Sequence, residues 1–467
     1  MLLKKYLTEY DEDISGDIYV DPLGVLVVWS AFGHEIFKNK VNSISNDVRN
    51  YTLNLINHAV IKSLIDDDSV VLNKSLNKFV GDKSSLTFKY ACLVYLENIF
   101  TFAITDPKSR TNLDSRGVLG SSKARRQWEE GSGNPKIYFS HIESEKNIPY
   151  HLLVRQLGLG VSGRYRTPFL KIGFFQGQYD YYHPNAQRLW LKFDELLNSS
   201  SVLKHLFNQA KKHLAQLLTQ STHSSNKPPV TLYSDLPEAL IKAFRKALPN
   251  SQSVGRETRE FWLDVTKLSE GAAGALLAEL ESDIEKESKF VVSDYFSRSA
   301  ENKNLSDVEK QKLTNVLTLE PLLGELDTLF LLTRTRRSQS INDVVKLWKD
   351  LNRNDNTLPT LANKIIDTIE IYEVVSGTSE NRLKQLINAA SQPDVEHQIK
   401  ELLSYHAKVM RIRGQQPWVE IEGDTIKVHA RTANLPSLEQ RPLSGWVNNY
   451  YLYQYNNLVR GFYGDMK

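Results

Sequence analysis

Phe88-Lys89-Tyr90-Ala91-Cys92-Leu93-Val94-Tyr95-Leu96-Glu97-Asn98-Ile99-Phe100-Thr101-Phe102-Ala103-Ile104 is the most hydrophobic stretch of this 467-residue chain. It is shorter than the roughly 20 apolar residues a bilayer span needs, and it carries Lys89, Glu97 and Asn98, so it reads as a helix of about 84–104 buried in protein. No membrane segment is implied. Upstream, Ser45 opens a run in which Val48, Tyr51, Leu55, His58 and Ile65 recur at helical spacing as far as Asp66-Asp67-Asp68. His58 falls on the apolar face and reads as a core residue rather than a ligand. The short run Val25-Leu26-Val27-Val28-Trp29 is left open between strand and helix by its periodicity. Residues 1–105 together predict a helical N-terminal domain.

Downstream, residues 106–220 predict a mixed region rich in glycine, arginine and aromatics, with a possible strand at Phe169-Leu170-Lys171-Ile172-Gly173-Phe174-Phe175. It closes on an amphipathic helix with Leu203, Leu206, Phe207, Ala210, Leu214 and Leu217 on one face. The polar run Ser221 to Pro229 is the best linker in the chain, and a domain boundary is expected there. Residues 230–413 are almost wholly helical in pattern, with capping boxes spelled at Ser306 to Glu309 and Ser340 to Asp343. No repeat period is visible, so a bundle is expected rather than a solenoid. From 414 to 467, Trp418 to His429 alternates around Gly423-Asp424 as a β-hairpin. Eight aromatics between Trp418 and Tyr463 must then pack on the helical domain or on another protein. The fold class predicted is mainly α and multidomain.

Composition narrows the setting. At 41% hydrophobic and 24% charged the chain is an ordinary globular protein, too long for one core. A single cysteine, Cys92, permits neither a disulfide framework nor a multi-cysteine zinc site within the chain, which fits a reducing cytosol. The first residues, through Glu9-Tyr10-Asp11-Glu12-Asp13, lack the apolar core of a signal peptide, so a cytoplasmic location is expected.

Charge supplies the sharpest functional signal. Between Pro107 and Lys171 there are twelve Lys/Arg and five Asp/Glu, a net of +7 in a chain whose total is +3. Forked guanidinium donors beside glycines and aromatics suit a polyanion, most often nucleic acid. The candidate contacts are Arg110, Arg116, Lys123, Arg125, Arg126, Arg164, Tyr165 and Arg166. The spelling Gly158-Leu159-Gly160-Val161-Ser162-Gly163 matches a dinucleotide fingerprint, but Arg164-Tyr165-Arg166-Thr167-Pro168 opposes the helix that motif needs. A glycine turn that lets Arg164 and Arg166 reach phosphates, with Tyr165 to stack, and an ordinary buried turn are the other readings. Arg334, Arg336 and Arg337 precede the capped helix at Ser340. They would bind an anion together or belong to a solvated loop.

Catalytic signals are weaker. Glu287-Ser288-Lys289 and Glu143-Ser144-Glu145-Lys146 spell half of a metal-dependent nuclease site, without the strand and partner aspartate it requires. His141-Ile142-Glu143 lacks the paired cysteines of a zinc deaminase. No Walker lysine motif is present, so an ATPase activity would belong to a separate subunit. No metal and no cofactor are expected, and the catalytic residues of any reaction are unknown.

The segments Ile36-Phe37-Lys38-Asn39-Lys40-Val41-Asn42-Ser43-Ile44-Ser45-Asn46-Asp47-Val48-Arg49-Asn50 and Leu157-Gly158-Leu159-Gly160-Val161-Ser162-Gly163-Arg164-Tyr165-Arg166-Thr167-Pro168-Phe169 resemble accessory proteins of bacterial anti-phage defence operons. They cover less than a tenth of the chain and bring no functional residues with them. The resemblance implies a prokaryotic complex subunit acting near DNA. The reading that follows is a cytosolic, non-catalytic subunit that binds nucleic acid, DNA rather than RNA, and other protein subunits, with a separate ATPase or nuclease among them. A nuclease with dispersed active-site residues and a pure protein scaffold are the alternatives.

Overall fold

A computed structural model describes residues 21–109, 113–130, 133–145, 148–220, 227–286 and 290–463. Among them the chain is mainly α, with small antiparallel sheets as its only extended structure. In chain order the first helices are α1 (Leu26–Phe37), α2 (Val48–Ile65), α3 (Lys74–Val80), α4 (Leu86–Thr105), α5 (Ser121–Glu130), α6 (Gln156–Leu159), α7 (Val161–Arg164), α8 (Arg166–Ile172), α9 (Pro184–Ser199), α10 (Ser201–Gln220), α11 (Glu238–Ala247) and α12 (Ser251–Thr266). There follow α13 (Gly271–Lys286), α14 (Val292–Ala300), α15 (Asp307–Leu332), α16 (Ile341–Asp350), α17 (Thr357–Ile366), α18 (Ile369–Val374), α19 (Thr378–Ala390), α20 (Val395–Ile412) and α21 (Leu452–Tyr463). Strand β1 (Lys136–Tyr138) pairs with β4 (Val230–Leu232), and β2 (Ser144–Glu145) with β3 (Ile148–Pro149). Strand β7 (Thr425–Val428) lies between β5 (Ser338–Ser340) and β6 (Val419–Glu422).

The chain divides into two compact units. One holds Asn39–Lys267 with the chain from Gln454 onward, and the other holds the segment ending at Lys38 with Leu268–Tyr453. This differs from the four segments expected of the sequence. Helix α1 leaves the N-terminal segment for the second unit, because Trp29 is buried there and donates through Nε1 to Glu320 at 2.8 Å. Residues 230–267 join the first unit, because β4 completes a sheet with β1 and α11 packs on α4 and α10. Residues 221–226 of the expected linker lie outside the described residues.

In the first unit α4 is the central element, buried from Phe88 to Thr105 at every position but Tyr90, with α2, α5, α11 and β1 around it. Ser85 caps it by accepting from the Phe88 amide at 3.1 Å. Helix α2 is buried almost as completely, and His58 sits in the core with Nδ1 2.8 Å from the Tyr181 hydroxyl. The expected strand at 169–175 is instead the end of α8. Pro168 occupies its first turn, where an amide has no helical partner to lose, and Gly173, at φ 108°, ends it.

In the second unit α15 runs through the middle, against α1, α13, α14, α17 and α20. The run Val25–Trp29, left open in sequence, leads into helix α1. The hairpin at 418–429 forms as β6 and β7, with Gly423 at φ 61° in the turn and β5 as an unforeseen third strand. Of the two capping boxes, Ser340 and Asp343 close theirs reciprocally. Ser306 accepts from the Glu309 amide at 3.4 Å, while the Glu309 carboxylate caps α13 through the Ala272 amide. The tail aromatics pack within the chain. Trp446 and Tyr450 lie on Phe296, and the Tyr451 hydroxyl donates to Ser30.

Candidate nucleic-acid interface

Helix α5 docks on α4 through two side chains a turn apart, Ala124 and Trp128, both buried. The Trp128 indole donates to Thr105 at 3.3 Å and meets Tyr233 edge-on at 4.7 Å. With that face buried, the helical period turns Arg125 and Arg126 to solvent. Lys123, half-buried, sits near His151, whose ring burial pushes down to about 4. The preceding loop adds Arg116, whose side chain is 91% exposed and pairs with Asp114 at 3.0 Å. Arg125 reaches back to the Ser115 hydroxyl, so Arg116 and Arg125 stand side by side on one short loop and helix.

The loop is held from beneath. Buried Arg49 pairs with Asp47 at 2.8 Å and donates to the carbonyls of Asp114 and Arg116, and the Asn50 amide donates to Gly117 at 3.1 Å. Gly117 is required at the turn. It has φ 74°, and a Cβ there would lie 2.9 Å from the Asp47 carboxylate. Sequence reasoning missed Arg49 and Asn50, which sit on a helix that looks merely apolar. They fall off the face marked by Val48, Tyr51, Leu55 and His58, so no local signal marked them, and only the burial of α2 on every side brings them beneath the loop.

The glycine segment turns out differently from its expectation. A helix does begin at Val161, but the acceptor at its first amide is the chain's own: Val161 N–H donates to Glu97 Oε1 at 3.1 Å. A Cβ on Gly160 would lie 2.7 and 2.8 Å from the two Glu97 oxygens, so glycine is needed for the carboxylate to approach. Burial pushes Glu97 up to about 7, against the Val161 amide, Gln156 and the charge of Arg164. Tyr165 is not open to a stacked base. It is 1% exposed, its hydroxyl donates to Ile44 at 2.9 Å, and its ring meets Tyr51 edge-on, because the apolar ring completes the core between α2 and α7. Arg164 is half-buried, and its carbonyl accepts from Asn42. Arg166 is half-buried over Tyr179 and donates to the Gly177 carbonyl at 2.8 Å. The segments 36–50 and 157–169 thus touch through Asn42, Ile44, Arg164 and Tyr165.

The three arginines before α16 are not gathered on one anion. Arg334 lies between the rings of Phe330 and Trp418, Arg337 donates to the Ala430 carbonyl at 3.0 Å, and Arg336 is exposed. The helix end they precede already has its anion in Asp343, held below the usual carboxylate range by the Ser340 amide and hydroxyl and by Arg336. Arg110, Lys146 and Glu287-Ser288-Lys289 lie outside the described residues. Among the described residues no group of three or more His, Cys, Asp or Glu could hold a metal, and no helix is long and apolar enough to cross a membrane. Comparison with family models, curated proteins and solved structures gives no match.

Proposed function

We propose that this chain is a nucleic-acid-binding subunit of a multiprotein complex, contacting phosphates through the Asp114–Gly117 loop and the first turns of α5. The observation that carries this reading is the joint exposure of Arg116, on a loop clamped by Arg49 and Asn50, and of Arg125 and Arg126 on the helix that follows it. The charge order of α5 supports it. Lys123 lies in the first turn and Glu129 and Glu130 in the last, against the preference of the helix dipole, so helix stability does not account for the basic residues. The resemblance to anti-phage accessory proteins favours DNA and a bacterial defence complex. Three exposed leucines, Leu435, Leu438 and Leu443, in a stretch without helix or strand support protein partners on the second unit.

The test is a salt titration of duplex binding. Because these side chains are exposed, replacing Arg116, Arg125 and Arg126 with Ala is expected to leave the circular dichroism spectrum unchanged. Affinity should fall, and the slope of log K against log salt should flatten by about 2 to 3, since each lost phosphate contact releases about 0.9 fewer counterions. Unchanged affinity and slope would overturn the reading.

A further inference from the structure

A second cationic feature of the first unit lies outside α5. Where α8 ends, α9 begins and α12 ends, there is an open cleft of about 500 Å³. Lys40, Lys171, Arg188, Lys192 and Lys267 line it with one carboxylate, Asp264, for a net of +4. Only Lys171 belongs to the basic block of the sequence. The others come from three separate places in the chain, Lys40, the pair Arg188 and Lys192 on α9, and Lys267, so no local count of charge reveals them.

Three of these cations are held by the protein. Lys192 and Lys267 both pair with Asp264, and Lys40 donates to the Thr266 carbonyl at the end of α12, where cations are favoured. Lys171 and Arg188 are exposed and make no ion pair among the described residues. Arg188 and Lys192 are four apart on α9, a like-charge spacing that opposes the helix. The rim includes His183, which caps the 16-residue α9, and Pro184, its first residue, and the positive end of that helix adds to the field.

We propose that this cleft binds the polyphosphate of a small molecule, either a nucleoside triphosphate or inorganic polyphosphate. A single phosphate ester brings a charge of about −2 and leaves half of the lining charge unmatched, whereas linked phosphates match it. The volume falls in the range of pockets that hold a ligand of nucleotide size. Prepositioned lysines and a reachable guanidinium are the donors that phosphate oxygens require.

The full chain is titrated calorimetrically with tripolyphosphate, a nucleoside triphosphate and inorganic phosphate, beside the variant Lys171→Gln/Arg188→Gln. Saturable binding of tripolyphosphate, weakened at least tenfold in the double variant and unaffected by Arg116→Ala/Arg125→Ala/Arg126→Ala, supports the proposal. Tighter binding of the nucleoside triphosphate assigns a nucleotide, and equal binding assigns the phosphates alone. The proposal is overturned if neither polyphosphate binds, if the double variant binds as well as the parent, or if inorganic phosphate binds as tightly as tripolyphosphate. Loss of duplex binding in the double variant without any polyphosphate binding also overturns it, making the cleft part of a nucleic-acid track. Because the α5 and cleft variants are separate, failure of one reading leaves the other measurable.

Discussion

Glu97 and Glu320 are both removed from water, and their partners distinguish them. Glu320 accepts from Trp29, Val447, Asn448 and Tyr450, and burial still pushes it up to about 7. Glu97 has the Val161 amide on Oε1 and no hydrogen-bond partner on Oε2. Its ordinary value is 4.5 and its folded value about 7. Between those values the folded chain holds a proton that the unfolded chain releases. The stability from that proton is complete below about pH 4.5 and is lost as pH rises through 7. A shift of this size is worth about 3 kcal/mol. Glu97→Gln keeps an acceptor for Val161 and removes the charge. It is expected to come close to wild type at pH 4 and to exceed it by about 3 kcal/mol at pH 8.5 in urea unfolding. Buried His58, pushed down to about 3, acts in the opposite sense, lost as pH falls below its ordinary 6.5, and cancels when variant and wild type are compared at one pH. Equal stability at both pH values would mean that the carboxylate stays charged in the fold. None of this was legible locally: Glu97 reads in sequence as the residue that interrupts an apolar run, and only the approach of Gly160 makes it the occupant of the glycine turn.

At the scale of elements, periodicity identified α2, α4, α10 and the 418–429 hairpin, because each buries one face or all faces at a fixed period. It failed at 156–172, where three helices of four to seven residues are too short to show a period. Helix crossings were invisible for another reason, since close approach depends on a residue far away. Gly255 of α12 lies against Gly461 of α21, and a Cβ at 255 would fall on the Gly461 carbonyl oxygen, which cannot move without its helix. Gly461 itself faces the Ser251 hydroxyl at 2.6 Å from its ideal Cβ, the end of a side chain that can rotate. Gly255→Ala is therefore expected to cost about 1–3 kcal/mol and Gly461→Ala clearly less, measured by urea unfolding. The reverse order would show that α21 yields more easily than the serine.

For the whole molecule, the unit that carries α5 is assembled from chain on both sides of the expected 220/230 boundary. β1 with β4 and α10 with α11 each cross it. Cleavage at a protease site placed between Gln220 and Lys227 is expected to leave two pieces that co-elute on size exclusion and separate only in denaturant. Pieces that part in native buffer would restore an independent C-terminal body beginning at 230.

What the sequence determined by itself was whatever depends on neighbours along the chain: the helical class, the capped start at Ser340, the hairpin turn at Gly423, and the concentration of positive charge between 107 and 171. The tertiary structure decided which charges reach water. Burying Ala124 and Trp128 exposes Arg125 and Arg126, burying Tyr165 withdraws it from stacking, and Arg49 spends its charge on the loop carbonyls beneath Arg116. It also decided that Lys40, Lys171, Arg188, Lys192 and Lys267 share one cleft. Helical period is a property of a few consecutive residues, whereas exposure and convergence are set by which distant surfaces exclude water together.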